Sequence, residues 1–299
     1  MSSMDHASAE ADSLTPLRAV LDLSGSQART TEDIFTGESQ PMPTGRIYGG
    51  QVLAQSIVAA SRTLPEGRAP HSMHGYFLRP GDASRGLTFS VDRIHDGRSF
   101  STRRTQAFQD GVPIFSMIAS FQDEDPGLEH QGAMPEGIPG PDGVRDSTDV
   151  LRDAPSSAWR LMRNSPVDVR HVTSPVYVSV EGDRVPAQAV WLRVRGRLPD
   201  DPAIHRAALA YLSDLTIQEP VLRAHGVAWA TPGLKVASLD HAMWWHRAGR
   251  VDEWMLYVQE SPSARGGRGL STGRIFSRDG VLLASVAQEI TVRVPAGAV

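Results

Sequence analysis

Cysteine is absent from the 299 residues of this sequence. Its absence excludes a thiol nucleophile, a disulfide and a thiolate metal site within the chain. Lysine is almost absent as well, because Lys235 is the single lysine among 30 basic residues. We attribute this skew to a GC-rich genome rather than to function. The net charge of −4 is small for this length, so neither nucleic acid nor an anionic membrane is expected as a partner.

Long hydrophobic runs and leader sequences are also missing. No apolar stretch approaches the roughly 20 residues that span a bilayer. The first residues, MSSMDHASAEADSLTP, have neither the basic part nor the apolar part of a secretory signal. We therefore expect a soluble, cytoplasmic protein. The residues that are present, 40% hydrophobic and 21% charged, are typical of a globular protein with a sizeable core.

The first half of the sequence predicts one buried helix followed by antiparallel strands. A short helix is expected over Leu17 to Leu23, and a longer one follows Gly49 and Gly50 and ends before Pro65. The longer segment, QVLAQSIVAASRTL, is apolar on nearly all sides, which predicts burial. Strands are expected over residues 72–78, 87–95, 99–109 and 112–122. The Asp-Gly dipeptide between the last two predicts a hairpin turn.

The second half repeats this order after a segment of different character. Residues 123 to about 150 are rich in Pro, Gly and acidic residues and have no apolar period, which indicates a linker. Beyond them a helix is expected from Ala203 to about Leu222. Strands are expected over residues 189–196, 234–245, 254–261, 269–277 and 281–294. Because DGVPIFS in the first half matches DGVLLAS in the second, we infer an internal duplication.

A helix wrapped by a curved antiparallel sheet explains why the first long helix lacks a wide polar face. We therefore predict an α+β protein made of two such modules, each with a long central helix. The boundaries expected are a disordered tail over residues 1–13, modules over 14–122 and 161–299, and a linker over 123–160.

Two polar residues interrupt the apolar patterns of the second half. In a helical pattern Asp214 shares one face with Ala207, Tyr211, Leu215 and Gln218. That face is expected to lie against the sheet, where burial raises the pKa of an Asp towards a value useful to a general base. Gln288 is the single amide in an inward-facing apolar row, and a buried amide must find partners. The structural alternatives are a surface Asp on a shifted helix and a Gln bonded to backbone.

Motifs in both halves resemble the acyl-CoA thioesterase II family. They are GGQVLAQSIVAASRTLP, HSMHGYFLRPGD, DGRSFSTRR, DGVPIFSMIASFQ, YLSDL, SLDHAMWWHR, EWMLYVQESPSARGGRG and RDGVLLASVAQE. The resemblance runs in one order from about Phe35 to Val294. It implies a double hotdog fold and the hydrolysis of acyl-CoA by water without an acyl-enzyme. We expect medium- to long-chain fatty-acyl-CoA as the substrate.

The resemblance also implies three site residues. The Asp of YLSDL is Asp214, the hydroxyl residue before Leu-Asp-His is Ser238, and the Gln of VAQE is Gln288. Ser238 stands where many members of the family have threonine, and either hydroxyl can bind a water. The implied reaction has Asp214 taking a proton from the water while the other two hold its oxygen. Ser238 depends mainly on the resemblance, because its orientation within its strand is unclear.

The thioester oxygen needs a hydrogen-bond donor as well. The helix that begins at Gly49 and Gly50 is the candidate, because backbone N–H groups at a helix N-terminus favour negative charge. The alternative is that these glycines only permit a tight turn or close packing. The same helix carries no acidic residue, and Ala119 stands at the position that corresponds to Gln288. We therefore expect one complete site per chain, in the second module.

Other motifs are weaker. The G-x-S-x-G pattern at residues 269–273 requires a helix after its serine, but RIFSRDG is strand-like, so a serine nucleophile is not expected. The histidines of the two spaced pairs point to opposite faces of their strands, so we interpret them as structural or surface residues and expect no metal site. These pairs are His71 with His74 and His241 with His246. His74 is kept as a candidate substrate contact. The arginines that are candidates for CoA phosphates, or ordinary solvated residues, are Arg265, Arg268 and Arg274.

Two other functions compete with the hydrolase. A non-catalytic acyl-CoA-binding protein of the same fold is the main alternative, and the intact set of three site residues favours the enzyme. A hotdog dehydratase would pair an acid with a histidine, and the sequence indicates no such histidine beside Asp214. No cofactor is expected. Because hotdog sheets often associate, we expect a homodimer or a larger homo-oligomer.

Overall fold

The computed structural model describes residues 16–25, 32–151 and 165–295. The tail predicted over residues 1–13 lies outside these ranges, as does the end of the predicted linker. Within them the chain forms two α+β modules of the same design. No helix in the described ranges is long and apolar enough to cross a membrane.

The first module begins with a helical segment over residues 16–21. Its further elements are β1 (Leu23–Gly25), β2 (Asp33–Gly37), α1 (Gly49–Ser61), β3 (Ala69–Phe77), β4 (Leu87–Asp96), β5 (Phe100–Gln109) and β6 (Val112–Gln122). The prediction of a helix through Leu23 is therefore wrong at its end, because Leu23 pairs with Gly37 in the sheet. The hairpin between β5 and β6 turns at Asp110 and Gly111, which both have positive φ, the conformation that this turn requires.

Between the modules, the described residues hold a short 3-10 turn (Pro141–Gly143) and the helix α2 (Ser147–Val150). The second module contains β7 (Val167–His171), β8 (Ala187–Val194), α3 (Pro202–Ser213), α4 (Glu219–Ala224), β9 (Lys235–Ser238), β10 (Asp240–Trp245), β11 (Met255–Arg265), β12 (Arg268–Ser277) and β13 (Leu282–Arg293).

Two elements of the second module differ from the prediction. The helix expected from Ala203 to Leu222 is two helices, separated by a turn over residues 214–218. Pro220 lies in the first turn of α4, where its missing N–H costs no hydrogen bond, whereas a continuous helix would lose one there. Asp214 is therefore the C-cap of α3 rather than a residue on a helix face. The strand expected over residues 234–245 is also divided, at Leu239.

The 13 strands in the described ranges form one antiparallel sheet with the order β1-β2-β4-β5-β6-β3-β10-β13-β12-β11-β8-β7, and β9 pairs with β13 beside β10. The first half of this order, read outward from β3, corresponds to the second half read outward from β10. The two halves join where β3 pairs with β10, with His74 opposite Ala242. The predicted double hotdog of class α+β is confirmed.

The core lies between the sheet and the two central helices. α1 packs against α3 and against the strands of its own module. Leu53 and Ile57 of α1 are fully buried with Met73 of β3 and Leu212 of α3 in one continuous cluster. Burial of a side chain of this size stabilises the fold by roughly 1.5–3 kcal/mol. This packing brings the beginning of α1 next to the end of α3.

Candidate active site

Asp214 lies at the junction of the two modules. It follows the last residue of α3, and its side chain is only 4% exposed. A Cβ atom placed on Gly49, the first residue of α1, would lie 2.7 Å from its Oδ2. Its Oδ1 is buried and accepts no hydrogen bond from the described residues. One oxygen of a buried carboxyl group is therefore left without a hydrogen-bond donor among the described residues.

Burial raises the pKa of Asp214 from 3.8 to about 7, because the protein interior disfavours the carboxylate. Interactions with Gln288, with the backbone N–H of Gly50 and with Ser238 oppose this rise. The carboxyl group also lies at the C-terminal end of α3, where the helix dipole disfavours a negative charge. The result is a carboxyl group that changes its charge near neutral pH, which is what a general base requires.

Ser238 and Gln288 lie together beside Asp214. The Gln288 Nε2 donates a hydrogen bond of 2.9 Å to Ser238 Oγ, and Gln288 is buried as its position in the apolar row predicted. The Nε2 of Gln218 donates a second bond of 2.9 Å to the same oxygen. Because Ser238 Oγ already accepts two N–H bonds, its own hydrogen is available to a further acceptor.

A β-bulge turns Ser238 into the core. Ser238 pairs with Ile290, and Ala242 pairs with Ala287. Between these two pairs the β9–β10 segment has three residues, whereas β13 has two. The extra residue changes the alternation of side chains. Ser238 therefore faces the same side as His241, although an even strand would place them on opposite sides. The orientation of Ser238 was unclear from the sequence for this reason.

His241 belongs to the same hydrogen-bonded group. It is buried, its Nδ1 lies in hydrogen-bond contact with Gln288 Oε1, and its Nε2 lies 2.9 Å from Ser213 Oγ. Burial lowers its pKa to about 4, so the ring is neutral at pH 7. The interpretation of His241 as an ordinary structural or surface histidine missed this contact. The available signal was its alternation with Met243 and Trp245, which shows an imidazole on an apolar strand face.

The beginning of α1 faces this group from the other module. Tyr48 is the N-cap residue and its side chain makes no capping bond, whereas the backbone N–H of Gly50 interacts with the carboxyl group of Asp214. The helix approaches α3 so closely that a Cβ atom on Gly50 would lie 2.4 Å from the carbonyl oxygen of Tyr211. The hydroxyl group of Tyr48 donates a bond of 2.7 Å to that carbonyl. Glycine at residues 49 and 50 is thus required by close packing.

His74 lies on the wrong side of the sheet for the role suggested by the sequence. Its neighbours Met73 and Gly75 are buried, whereas His74 is exposed, because side chains alternate along β3. Its ring packs against that of Trp244 at 5.1 Å between centroids. The candidate contact of His74 with a substrate at Asp214 is therefore wrong, since the sheet separates the two side chains.

The G-x-S-x-G pattern lies within β12, as expected from its strand-like continuation. Its small residues Gly269, Ser271 and Gly273 all face inward. A Cβ atom on Gly269 would lie 2.7 Å from Val221, and one on Gly273 would lie 2.4 Å from Tyr257. The pattern therefore lets α4 and the turn before it pack closely on the sheet.

Two of the three candidate arginines lie together. Arg265 and Arg268 line a cavity of about 230 Å³ whose walls include Val221 and Val292. Arg268 also forms an ion pair of 3.0 Å with Glu289. Arg274 does not join them, because its guanidinium group lies over the ring of Phe276, 5.7 Å from the centroid.

A second chain of hydrogen bonds has the order of a serine-hydrolase triad. Ser147 Oγ lies 3.0 Å from His171 Nδ1, and His171 Nε2 lies 2.8 Å from Glu219 Oε2. All three side chains are almost fully buried, with Ser147 only 1% exposed. A hydroxyl group so enclosed is not accessible to a thioester, so we interpret this group as structural. Among the described residues, no three His, Asp or Glu side chains are placed to bind a metal ion.

Both modules match known protein families. A family model described as the acyl-CoA thioesterase N-terminal domain matches residues 38–122, and one described as acyl-CoA thioesterase matches residues 163–291. The chain is 36% identical to acyl-CoA thioesterase 2 of Haemophilus influenzae, over 87% of this chain and 92% of that protein. It is 37% identical to human acyl-coenzyme A thioesterase 8, over 88% of this chain and 85% of the human protein.

Solved structures agree with the sequence comparisons. The crystal structure of an acyl-CoA thioesterase II from Mycobacterium marinum superimposes with a TM-score of 0.75 at 42% identity, covering 94% of this chain and 99% of that one. A hot dog fold protein from Alicyclobacillus acidocaldarius has the same TM-score at 19% identity, covering 93% of this chain and 98% of that one, which supports the fold alone. On these matches, together with the two modules and their shared site, the chain belongs to the acyl-CoA thioesterase II family.

Proposed function

We propose that this protein hydrolyses medium- to long-chain fatty-acyl-CoA to free fatty acid and CoA, with Asp214 as the general base. Membership of the family makes the chain an acyl-CoA hydrolase; the chain length and the residue roles are the proposal. The observation that carries it is the buried carboxyl group of Asp214, which has a pKa of about 7 and an unpartnered Oδ1 beside Ser238 and Gln288.

In the proposed reaction a water bound by Ser238 and Gln288 donates a proton to Asp214. The water oxygen attacks the thioester carbonyl carbon, and the carbonyl oxygen becomes negatively charged. Backbone N–H groups of Gly49 and Gly50 are proposed to stabilise that charge, because they open an α-helix whose N-cap residue makes no side-chain cap. The Gly50 N–H interacts with Asp214 before the reaction and becomes available to the thioester oxygen once Asp214 takes up the proton. When the C–S bond breaks, the proton on Asp214 passes to the CoA thiolate, which restores the base.

A direct attack by water fits the residues better than an acyl-enzyme. The chain has no cysteine. The Ser238 oxygen accepts hydrogen bonds from two amide groups, which occupy its lone pairs. General-base assistance contributes roughly 10²- to 10⁴-fold to such a reaction, and correct placement of the water adds to it.

The main alternative is a protein that binds acyl-CoA without hydrolysing it. A binding protein has no need of a buried carboxyl group, which is costly to keep charged. The unpartnered oxygen of Asp214 therefore favours the enzyme.

The decisive measurement is the release of free CoA from a series of acyl-CoA substrates, from acetyl-CoA to palmitoyl-CoA. We expect wild type to prefer the medium and long chains and Asp214→Asn to lose about 10²- to 10⁴-fold in kcat. Asp125→Asn, an exposed residue of the inter-module segment, is the matched control and should act as wild type. Equal rates for wild type and Asp214→Asn would overturn the mechanism. Tight binding without release by wild type would support the binding protein.

A cytoplasmic location and self-association complete the proposal. Self-association is supported by exposed apolar side chains on the outer face of the sheet, where Tyr76 is 62% exposed and Ile118 is 50% exposed near Trp244. Asp240 pairs with Tyr76 and Arg104 pairs with Ile118, and these opposite charges suit an isologous contact with a second copy of the same chain. Light scattering on the purified protein is expected to give the mass of a dimer or larger assembly, and a monomer would contradict this.

A further inference from the structure

We infer that His241 is a positioning residue for the hydrolytic reaction: it fixes the orientation of the Gln288 amide and so directs the Ser238 hydroxyl hydrogen towards the reaction centre. This inference rests on the proposed function and adds a fourth residue to it. It follows from a chain of contacts that runs from Ser213 through His241 and Gln288 to Ser238.

The amide group of Gln288 has two ends with opposite hydrogen-bonding character. Its oxygen faces His241 Nδ1, and its nitrogen donates to Ser238 Oγ at 2.9 Å. Because an oxygen can only accept, His241 must carry its hydrogen on Nδ1. His241 Nε2 is then an acceptor. The Ser213 hydroxyl lies 2.9 Å from both this nitrogen and the carbonyl oxygen of Ala210, and in this arrangement it donates its one hydrogen to the nitrogen. Every donor in the chain points towards Ser238.

The opposite arrangement would disable the site. If the hydrogen of His241 were on Nε2, Ser213 would accept it and donate instead to the carbonyl oxygen of Ala210, 2.9 Å away. The amide of Gln288 would turn over, with its nitrogen towards the ring and its oxygen towards Ser238. The Ser238 hydroxyl hydrogen would then point at Gln288, and neither side chain could donate to a water or to Asp214.

The surroundings of the ring keep it neutral, so it has a single hydrogen to place. His241 is buried, and burial lowers its pKa to about 4. On the sheet its neighbours are apolar side chains such as Met243 and Val286. Two titratable groups lie close to this chain of contacts. Gln288 and Ser238 separate Asp214 from the ring, and Tyr257, whose pKa burial raises, donates to the carbonyl oxygen of Ser213 and stays neutral. The choice between the two arrangements therefore depends on hydrogen bonding rather than on charge.

The first test is spectroscopic. ¹⁵N NMR of histidine-labelled protein distinguishes a ring protonated on Nδ1 from one protonated on Nε2. We expect the His241 signal of the Nδ1–H form, unchanged from pH 6 to pH 8 because the pKa of His241 is about 4. A signal of the Nε2–H form would overturn the inference whatever the activity of the protein.

The second test compares two substitutions at the same position. His241→Leu removes the donor to Gln288 and keeps a buried apolar side chain. We expect kcat to fall about 10- to 100-fold with KM little changed, as for a misplaced reacting group. The acidic limb of the pH–rate profile should also move upward, because Gln288 helps to hold down the pKa of Asp214. His241→Asn, whose amide nitrogen stands near the former Nδ1, should restore most of kcat.

The control is His246→Leu, five residues along the chain. His246 also bonds to a serine, at 2.9 Å from Ser285 Oγ, but it lies on the exposed side. This variant should keep the wild-type kcat and pH profile. If His241→Leu keeps the wild-type kcat, or if Leu and Asn lose activity equally with no change in the pH profile, His241 only fills space. Wild-type activity of Asp214→Asn would instead contradict the proposed function while the NMR result stood.

Discussion

The two modules place different residues at corresponding positions of the same sheet. In the first module Met73 of β3 pairs with Ala119 of β6, and both are fully buried. At the corresponding place in the second module, His241 of β10 contacts Gln288 of β13. An apolar pair in the first module thus corresponds to a polar pair in the second. The fold needs only a filled space at this position, so packing alone does not account for the polar pair.

The modules also differ in the next strand of the sheet, which is β5 in the first module and β12 in the second. Arg103 pairs with Ala119, and Ser271 pairs with Gln288. The Arg103 side chain is 1% exposed and donates to both oxygens of Thr63, just beyond the end of α1. A cation is stabilising there because the C-terminal end of a helix is negative. The corresponding end of α3 carries Asp214, whose ionised form is disfavoured there, and a carboxylate that readily takes up a proton is useful as a base.

The beginnings of the helices differ in the complementary way. α3 begins with a side-chain cap, since Asp201 accepts from the N–H of Ala203 at 2.9 Å, and Pro202 follows without an N–H group. α1 begins at Gly49 with neither device. The end of α1 and the beginning of α3 are therefore each stabilised by a side chain. At the beginning of α1 and the end of α3, the first N–H groups and the Asp214 carboxyl group lie next to each other. Because of this difference between the helix ends, one reactive junction is expected although the two modules are similar.

The largest effect is expected in the pH dependence of the free energy of unfolding, to which Asp214 contributes. The pKa of Asp214 is raised from 3.8 to about 7 on folding, so the folded state keeps a proton that the unfolded state releases. Stability is therefore lost as pH rises through this range, by about 4 kcal/mol for a difference of this size. Asp214→Asn should match wild type in urea unfolding near pH 4 and exceed it by about that amount at pH 8. The same difference at both pH values would contradict the assignment.

Arg103→Met should show that the first module uses its polar residue for stability. The substitution keeps the length of the stem but leaves the carbonyl groups of Thr63 and His95 without their donor. We expect the free energy of unfolding to fall by about 3 kcal/mol, measured by denaturant titration, with kcat unchanged. Ser271→Ala is the matched control in the second module, and its unfolding free energy should stay near that of wild type. A loss of kcat without a loss of stability in Arg103→Met would contradict the stabilising role of Arg103.

Gly50→Ala should displace the beginning of α1 from the end of α3 while leaving the Asp214 side chain in place. The new Cβ atom would lie 2.4 Å from the Tyr211 carbonyl oxygen, so the beginning of α1 must move. Because the N–H groups there are proposed to bind the thioester oxygen, we expect kcat to fall about 10- to 100-fold. Gly127→Ala, with no atom within 4 Å of its new Cβ, serves as the control. Unchanged kcat in Gly50→Ala would remove α1 from the mechanism.

Ala119→Gln should have the smallest effect. It places an amide where the first module corresponds to Gln288, next to Arg103, but supplies no base. Overpacking should cost about 1–2 kcal/mol of stability, and the CoA release rate should not rise. The double variant with Asp214→Asn should remain as inactive as Asp214→Asn alone. Any recovery of activity would show that the first module can form a site of its own.

Much of the fold follows from local patterns in the sequence. The burial of α1 follows from its apolar residues on all sides, and β6 begins and ends where the pattern predicted. The Asp-Gly turns place both final hairpins. The two halves of the sequence have the same order of predicted helix and strands, and this repeat, which is visible from local patterns, predicts two modules of one design.

The site was only partly accessible from the sequence. Gln288 and Asp214 are visible as polar residues in apolar surroundings, although Asp214 caps a helix instead of lying on its face. The inward orientation of Ser238 depends on a bulge, and bulges have no reliable local signature. His241 and Gln218 join the site through tertiary contacts, and His74 was misplaced because periodicity does not tell which face of a strand meets the core.

At the ladder between β3 and β10, each module covers the inner strand of the other. A cut in the segment after β6 would leave two fragments that each expose a central strand with free backbone groups, the usual template for aggregation. Neither fragment would carry both Gly50 and Asp214. Co-expressed fragments should therefore regain solubility and activity together, since a single event, the pairing of these two strands, restores both.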